Sequence, residues 1–184
     1  MKPEGFKSQY YLFISQSLVH CTHVFFIYLL SGTPGVGKSN LCQEIIKNID
    51  GFKWIDISDL AQGIYLTRMT QNLKPMSLMK TSEGGKILDY HSSEMFPERW
   101  IDHVYVLRAK TEILYDRLTA RGYNSKKVDQ NIQCEIFQVL LDEANESYNP
   151  SIVTELQSND DDDAAKNINV VMEFLKNWTP KNSS

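Results

Sequence analysis

Gly32-Thr33-Pro34-Gly35-Val36-Gly37-Lys38-Ser39 is the stretch on which the reading of this chain turns. Its spacing is Gly-x-x-x-x-Gly-Lys-Ser/Thr, the P-loop that cradles a nucleoside triphosphate. The glycines let the backbone curl so that consecutive N–H groups form an anion nest. A helix starting near Lys38 adds the positive end of its dipole. Lys38 is placed to neutralise the β- and γ-phosphates, and Ser39 to offer its hydroxyl to Mg²⁺. The flanks supply the context that the motif needs. Phe25-Phe26-Ile27-Tyr28-Leu29-Leu30 is a short apolar run of strand type, and Leu41, Ile45, Ile46 and Ile49 follow at helical spacing.

Working outward, Lys53-Trp54-Ile55-Asp56-Ile57 reads as a second strand, with Ser58 or Asp59 as a helix cap. Residues 60–82 show no clean period and read as irregular. Gly84-Gly85 signals a turn, Lys86-Ile87-Leu88-Asp89-Tyr90 a short strand, and Ile101 to Leu107 another. Helices are expected over 111–120 and 128–148, the second as one long stripe of Ile132, Ile136, Phe137, Leu140, Leu141, Ala144 and Tyr148. Arg121 to Ser125 makes the turn between them, and Pro150 ends the long helix. Ile152 to Leu156 reads as a last strand, followed by a helix lined by Val170, Val171, Phe174, Leu175 and Trp178. Strands alternating with helices predict an α/β domain with a parallel sheet.

Composition bounds the function classes. The chain has 184 residues, 42% hydrophobic and 23% charged, so one ordinary domain is expected. A net charge of −4 gives no global signature of a nucleic-acid binder, and no direct sequence-specific nucleic-acid binding is expected. Cys21, Cys42 and Cys134 are too few and too scattered for a disulfide framework or a zinc site, which points to a reducing compartment. Residues 10–30 are largely apolar, but Ser15, Gln16, Ser17, His20, Thr22 and His23 interrupt the run. A membrane span prefers continuous apolarity, and the strand before the P-loop cannot also lie in a bilayer. No membrane association is expected, and residues 1–22 read as a poorly ordered extension. The acidic run Asn159-Asp160-Asp161-Asp162-Asp163 suits a helix N-terminus.

The P-loop alone does not choose a reaction. Asp89 closes a strand, where a second oxygen ligand would hold Mg²⁺, directly or through water, opposite Ser39. His91, two residues on, is a candidate to touch an attacking or leaving group. Arg117 and Arg121 are four apart at one helix end. Two readings of that pair stand: a clamp on the polyphosphate, or basic residues suited to the helix dipole. Glu98, Arg99 and Asp102 read as structural or surface charges.

Several stretches together resemble the adenylate kinase isoenzyme 6 family: Gly32–Ser39, Asp89-Tyr90-His91, Phe96-Pro97-Glu98-Arg99-Trp100, Arg121-Gly122-Tyr123, and Asn131 to Val139. The resemblance covers roughly residues 24–178. It implies a P-loop NTPase fold of nucleoside-monophosphate-kinase type with a short lid at about 120–130. The domain spans 23–179, with a monophosphate-binding segment at 56–83 and a tail at 180–184. It further implies phosphotransfer from ATP to AMP, ATPase activity, and a role in maturing small-subunit ribosomal RNA in nucleus and cytoplasm. Partners would be a small-subunit ribosomal protein, pre-ribosomes and coilin. Carried over residue by residue, Gly35, Gly37, Lys38, Ser39 and Asn40 match the ATP-phosphate site, Asp89 the Walker B acid, His91 the adjacent histidine and Arg121 the lid arginine. The chain departs from the family after Asp59-Leu60-Ala61, where an arginine and an acidic segment are usual. Here Gln62-Gly63-Ile64-Tyr65-Leu66-Thr67-Arg68 follows, in a shorter and basic region. ATP binding is thereby better supported than AMP phosphorylation.

Overall fold

The structure, a computed structural model, describes residues 27–58, 85–94 and 96–177. The expected extension at 1–22, most of the 56–83 segment and the tail at 180–184 lie outside the described residues. Five strands form one sheet in the order β2-β3-β1-β4-β5. They are β1 (Ile27–Ser31), β2 (Lys53–Asp56), β3 (Lys86–Asp89), β4 (His103–Arg108) and β5 (Val153–Gln157). Every neighbouring pair is parallel. The helices are α1 (Lys38–Asn48), α2 (Thr111–Ala120), α3 (Ser125–Ile136), α4 (Val139–Ser147) and α5 (Asp161–Asn177).

A parallel sheet is covered on both faces, so its strands alternate between two apolar layers. Tyr28 and Leu30 of β1, Ile87 of β3 and Tyr105 and Leu107 of β4 face one cluster, with α1, α2, α3 and α5 contributing Ile45, Leu114, Val128 and Val171. Leu29, Leu88, Val104 and Val106 face the other, which Phe96, Trp100, Ala144 and Tyr148 complete. The expected strands and the expected 111–120 helix are present, with bounds shifted by a residue or two.

The expected single helix over 128–148 is not formed. It is two helices broken at Gln138, which sits in the left-handed region at φ 52°. The apolar stripe serves two different clusters. Val128 and Ile132 pack on one face of the sheet, whereas Leu141, Ala144 and Tyr148 pack on the other. A straight helix cannot cover both faces, so the chain turns over the C-terminal end of β4. The turn leaves Ile136 and Phe137 exposed.

The acidic run behaves as capping chemistry. Asp160 Oδ1 accepts the Asp163 amide at 2.8 Å, and Asp161 to Asp163 occupy the first turn of α5. Asp163 Oδ2 in turn accepts the Asn159 amide and side chain, which holds its carboxyl below the usual range. Asp102 accepts the Ile27 amide at 3.0 Å and Glu98 the Asn149 amide at 2.9 Å, both structural. Among the described residues no helix is long and apolar enough to cross a membrane.

Candidate active site

Strand register brings the site together. Pairing of β1 with β3 sets Leu30, at the mouth of the P-loop, opposite Asp89. Pairing of β2 with β3 sets Asp56 opposite Asp89 on the other side. The C-terminal ends of three parallel strands therefore meet where α1 begins, the usual place for a ligand in an open α/β sheet.

The P-loop backbone has the conformation that its sequence calls for. Gly37 is the N-cap of α1 at φ 102°, with no side-chain cap and no acid in the first turn. Its first-turn amides thus face no competing side-chain acceptor, and the dipole end favours an anion. Gly32, at φ 137°, lies so close to β4 that a Cβ would come within 2.3 Å of the Leu107 carbonyl oxygen. That contact requires glycine.

Lys38 folds back on this loop. Its Nζ donates to the carbonyls of Gly32 at 2.6 Å and Thr33 at 3.2 Å. Burial pulls its pKa down, against the pull of Asp89 upward. A phosphate placed beside it would oppose that shift, so the half-buried ammonium is a receptor for negative charge. Ser39 Oγ donates to Asp89 Oδ2 at 2.8 Å. Burial raises the Asp89 pKa, with Ser39 and Lys38 opposing. His91 sits with its ring 4.3 Å from that of Tyr90. Partial burial and then Lys38 hold its pKa below the ordinary imidazole value, with Glu143 opposing.

A cavity of about 300 Å³ joins these groups. Its wall includes Gly35, Gly37, Lys38, Ser39 and Asn40 from the loop, Asp89 and His91 from the end of β3, and Arg121. Eight of the nine expected site residues converge there. Arg117 does not. Its guanidinium donates to the carbonyls of Ser158 at 2.8 Å and Asn159 at 3.0 Å, bracing the turn between β5 and α5. That turn backs the P-loop, since a Cβ on Gly37 would stand 3.1 Å from Ser158 Oγ. Spacing of four suggested a shared side, but Arg121 is already the C-cap of α2, with φ −78° and ψ 0°. The Ser158 and Asn159 carbonyls hold Arg117, which leaves Arg121 alone of the pair on the cavity wall.

Beyond the P-loop, three cavity residues were not marked in the sequence as site residues. Asp56 closes β2 as Asp89 closes β3, so the same strand-ending signal pointed to it. Ser58 follows it, donating its amide to Asp56 Oδ1 at 2.7 Å. Tyr123 lies in the turn after α2 with Lys127 Nζ 4.0 Å from its ring centre. The expected lid at 120–130 is a short turn, Arg121 to Asn124, followed by the first turns of α3. Asn124 caps α3 by accepting the Lys127 amide at 2.9 Å. Glu135, on the last turn of α3, was also unmarked. It is buried and accepts from Thr33 Oγ1 at 2.5 Å and Arg108 Nε at 3.0 Å, tying the P-loop to β4.

Oxygen donors suit a hard cation. A hydroxyl and a carboxylate at hydrogen-bond distance, with phosphate oxygens as further ligands, match Mg²⁺ and not a thiolate- or imidazole-seeking metal. Among the described residues no group of three or more His, Cys, Asp and Glu could hold a metal by itself.

Comparison with known proteins agrees with this geometry. A family model described as an AAA domain matches residues 29–138. The "Adenylate kinase isoenzyme 6 homolog" of Drosophila melanogaster is 36% identical over 168 residues, 83% of this chain and 93% of the relative. That of Caenorhabditis elegans is 40% identical, covering 79% and 87%. That of Saccharomyces cerevisiae is 37% identical, covering 82% of each. Among solved structures, a shikimate kinase from Bacteroides thetaiotaomicron superposes with a TM-score of 0.54 at 14% identity, covering 82% of this chain and 98% of that one. That likeness concerns the fold alone.

Proposed function

The chain belongs to the adenylate kinase isoenzyme 6 family, and from that premise we propose that it transfers the γ-phosphoryl group of MgATP to AMP and also hydrolyses ATP. The observation that carries the reading is the Ser39–Asp89 hydrogen bond at the mouth of the P-loop, with Lys38 and Arg121 on the same cavity. It brings hard oxygen ligands and two cations to one cavity.

Phosphoryl transfer leaves little covalent work to the protein, so positioning and electrostatics dominate. Gly35, Gly37 and Asn40 line the phosphate cradle. Lys38 and Arg121 stabilise charge on the transferring group. Ser39 and Asp89 would hold Mg²⁺, which when bound supplies charge neutralisation at the phosphates. His91, on the wall of the same cavity, can orient the nucleophile or, in hydrolysis, take the proton of an attacking water. By family membership the proposal extends to maturation of small-subunit ribosomal RNA in nucleus and cytoplasm. A small-subunit ribosomal protein, pre-ribosomes and coilin are the proposed partners.

A second reading is an ATPase switch in ribosome assembly without effective AMP phosphorylation. The sequence favours it at one place: Gln62 stands where the family carries arginine, in a segment that is shorter and basic. A switch needs no monophosphate pocket. The two readings separate in one assay, ADP formation from MgATP with and without AMP, with Lys38→Ala as control. The kinase reading expects AMP to raise ADP output well above ATP alone. Equal output without AMP assigns the site to hydrolysis. Lys38→Ala should lower either rate by about 100-fold or more with the fold intact. Normal turnover in that folded variant would remove Lys38 from the mechanism.

A further inference from the structure

The loop that carries His91 is gripped by an element with no side chain in the cavity. Glu143, in α4, gathers four donors on one carboxylate oxygen. They are Ser92 Oγ at 2.8 Å, the Ser93 amide at 2.6 Å, Ser93 Oγ at 3.1 Å and the Glu94 amide at 2.9 Å. Five residues on, the Tyr148 hydroxyl reaches the carbonyls of Ser93 at 2.7 Å and Phe96 at 2.9 Å. From β1, Ser31 Oγ donates to the His91 carbonyl at 2.9 Å. The loop could satisfy its amides with water. Instead α4 supplies an anion at the centre of three consecutive residues directly after His91.

We propose that Glu143 is a positioning residue: its carboxylate fixes the Ser92–Glu94 turn and thereby aims the His91 imidazole into the nucleotide cavity. The inference rests on His91 belonging to the active site as proposed above. A catalytic contact misplaced by an ångström loses much of its effect, so a buttress one shell out has kinetic consequences.

The test compares Glu143→Gln, Glu143→Ala, His91→Ala and the Glu143→Ala/His91→Ala double variant in the full chain. ADP formation from MgATP, with and without AMP, gives kcat and KM. Glu143→Ala should lower kcat by about 10-fold with KM for ATP nearly unchanged. That loss should vanish in the His91→Ala background. Glu143→Gln keeps an acceptor oxygen but no charge. It should recover part of the rate lost in Glu143→Ala, again with KM for ATP nearly unchanged. Equal losses in both backgrounds, or no recovery in Glu143→Gln, would overturn the proposal. Should Glu143→Ala fail to fold, the same cycle run with Glu143→Gln and Glu143→Gln/His91→Ala decides: a loss of kcat that persists without His91 overturns the proposal. The cycle can be read on ATP hydrolysis alone. A wild-type chain that ignores AMP, yet loses hydrolysis in Glu143→Ala only when His91 is present, therefore sinks the kinase reading and spares this one.

Discussion

At the scale of single residues, the site stores unfavourable charge where the ligand needs it. Asp89 is only 4% exposed, and burial raises its pKa. A raised carboxyl pKa means that the folded state binds the proton more tightly than the unfolded chain. The ionised form therefore costs stability above the folded pKa, and the cost disappears as pH falls through it. Asp89→Asn should then melt higher than the wild type at pH 8 without nucleotide, with the gap closing in acid. ADP formation should drop by about 100-fold, since the variant loses the charge opposite Ser39. A variant that melts lower at pH 8 would show that the hydrogen bond from Ser39 outweighs the burial cost. Lys38 is the complementary case, a half-buried cation satisfied by two loop carbonyls until a phosphate offers more.

Among the elements, the broken helix is the instructive one. Gln138 adopts φ 52° between α3 and α4, a region that costs a residue with a Cβ roughly 1–2 kcal/mol. Helix ends on both sides close on it: the Gln138 amide donates to the Glu135 carbonyl at 3.2 Å, and the Leu141 amide to the Gln138 carbonyl at 2.9 Å. Gln138→Gly should raise stability by about 0.5–1 kcal/mol in urea unfolding, after the extra freedom of glycine in the unfolded chain is deducted. A lower midpoint would mean that the Gln138 side chain contributes more than its backbone costs. The break separates two acids with parallel tasks. Glu135 before it holds the P-loop through Thr33, and Glu143 after it holds the His91 loop. Arg117 belongs to the same class of support, on the turn behind Gly37.

For the whole molecule, stability against acid is set in part far from the cavity. His103 begins β4 with its ring 4.4 Å from Phe174 of α5 and 4.5 Å from Tyr105. Its Nε2 lies 2.9 Å from Thr154 Oγ1 of β5, so three elements meet on it. Burial lowers its pKa from 6.5 to about 4. The unfolded chain then takes up the proton first. Stability is lost as pH falls from about 6.5 toward 4, by about 2 kcal/mol between pH 7.5 and 5. His103→Gln cannot protonate, and its urea-derived stability should change less over that interval. An identical slope in the variant would place the acid sensitivity elsewhere.

The sequence by itself determined the P-loop, the strand–helix alternation and the parallel sheet. These depend on local chemistry: glycine conformation, apolar period and residues that begin or end helices. It also marked Asp89, His91 and Arg121, because each stands at a strand or helix end where side chains meet a ligand. Only the tertiary structure decided what long-range packing controls. Apolar periodicity told that residues 128–148 are helical but not that two sheet faces compete for them, so the break at Gln138 was invisible. Spacing put Arg117 and Arg121 together, but the turn between β5 and α5 claims one and the cavity the other. Asp56 joined the site through its register with Asp89, and Glu135 and Glu143 gained their roles from loops 102 and about 50 residues away along the chain. Sequence signals fade with separation along the chain, whereas hydrogen bonds and burial depend only on separation in space.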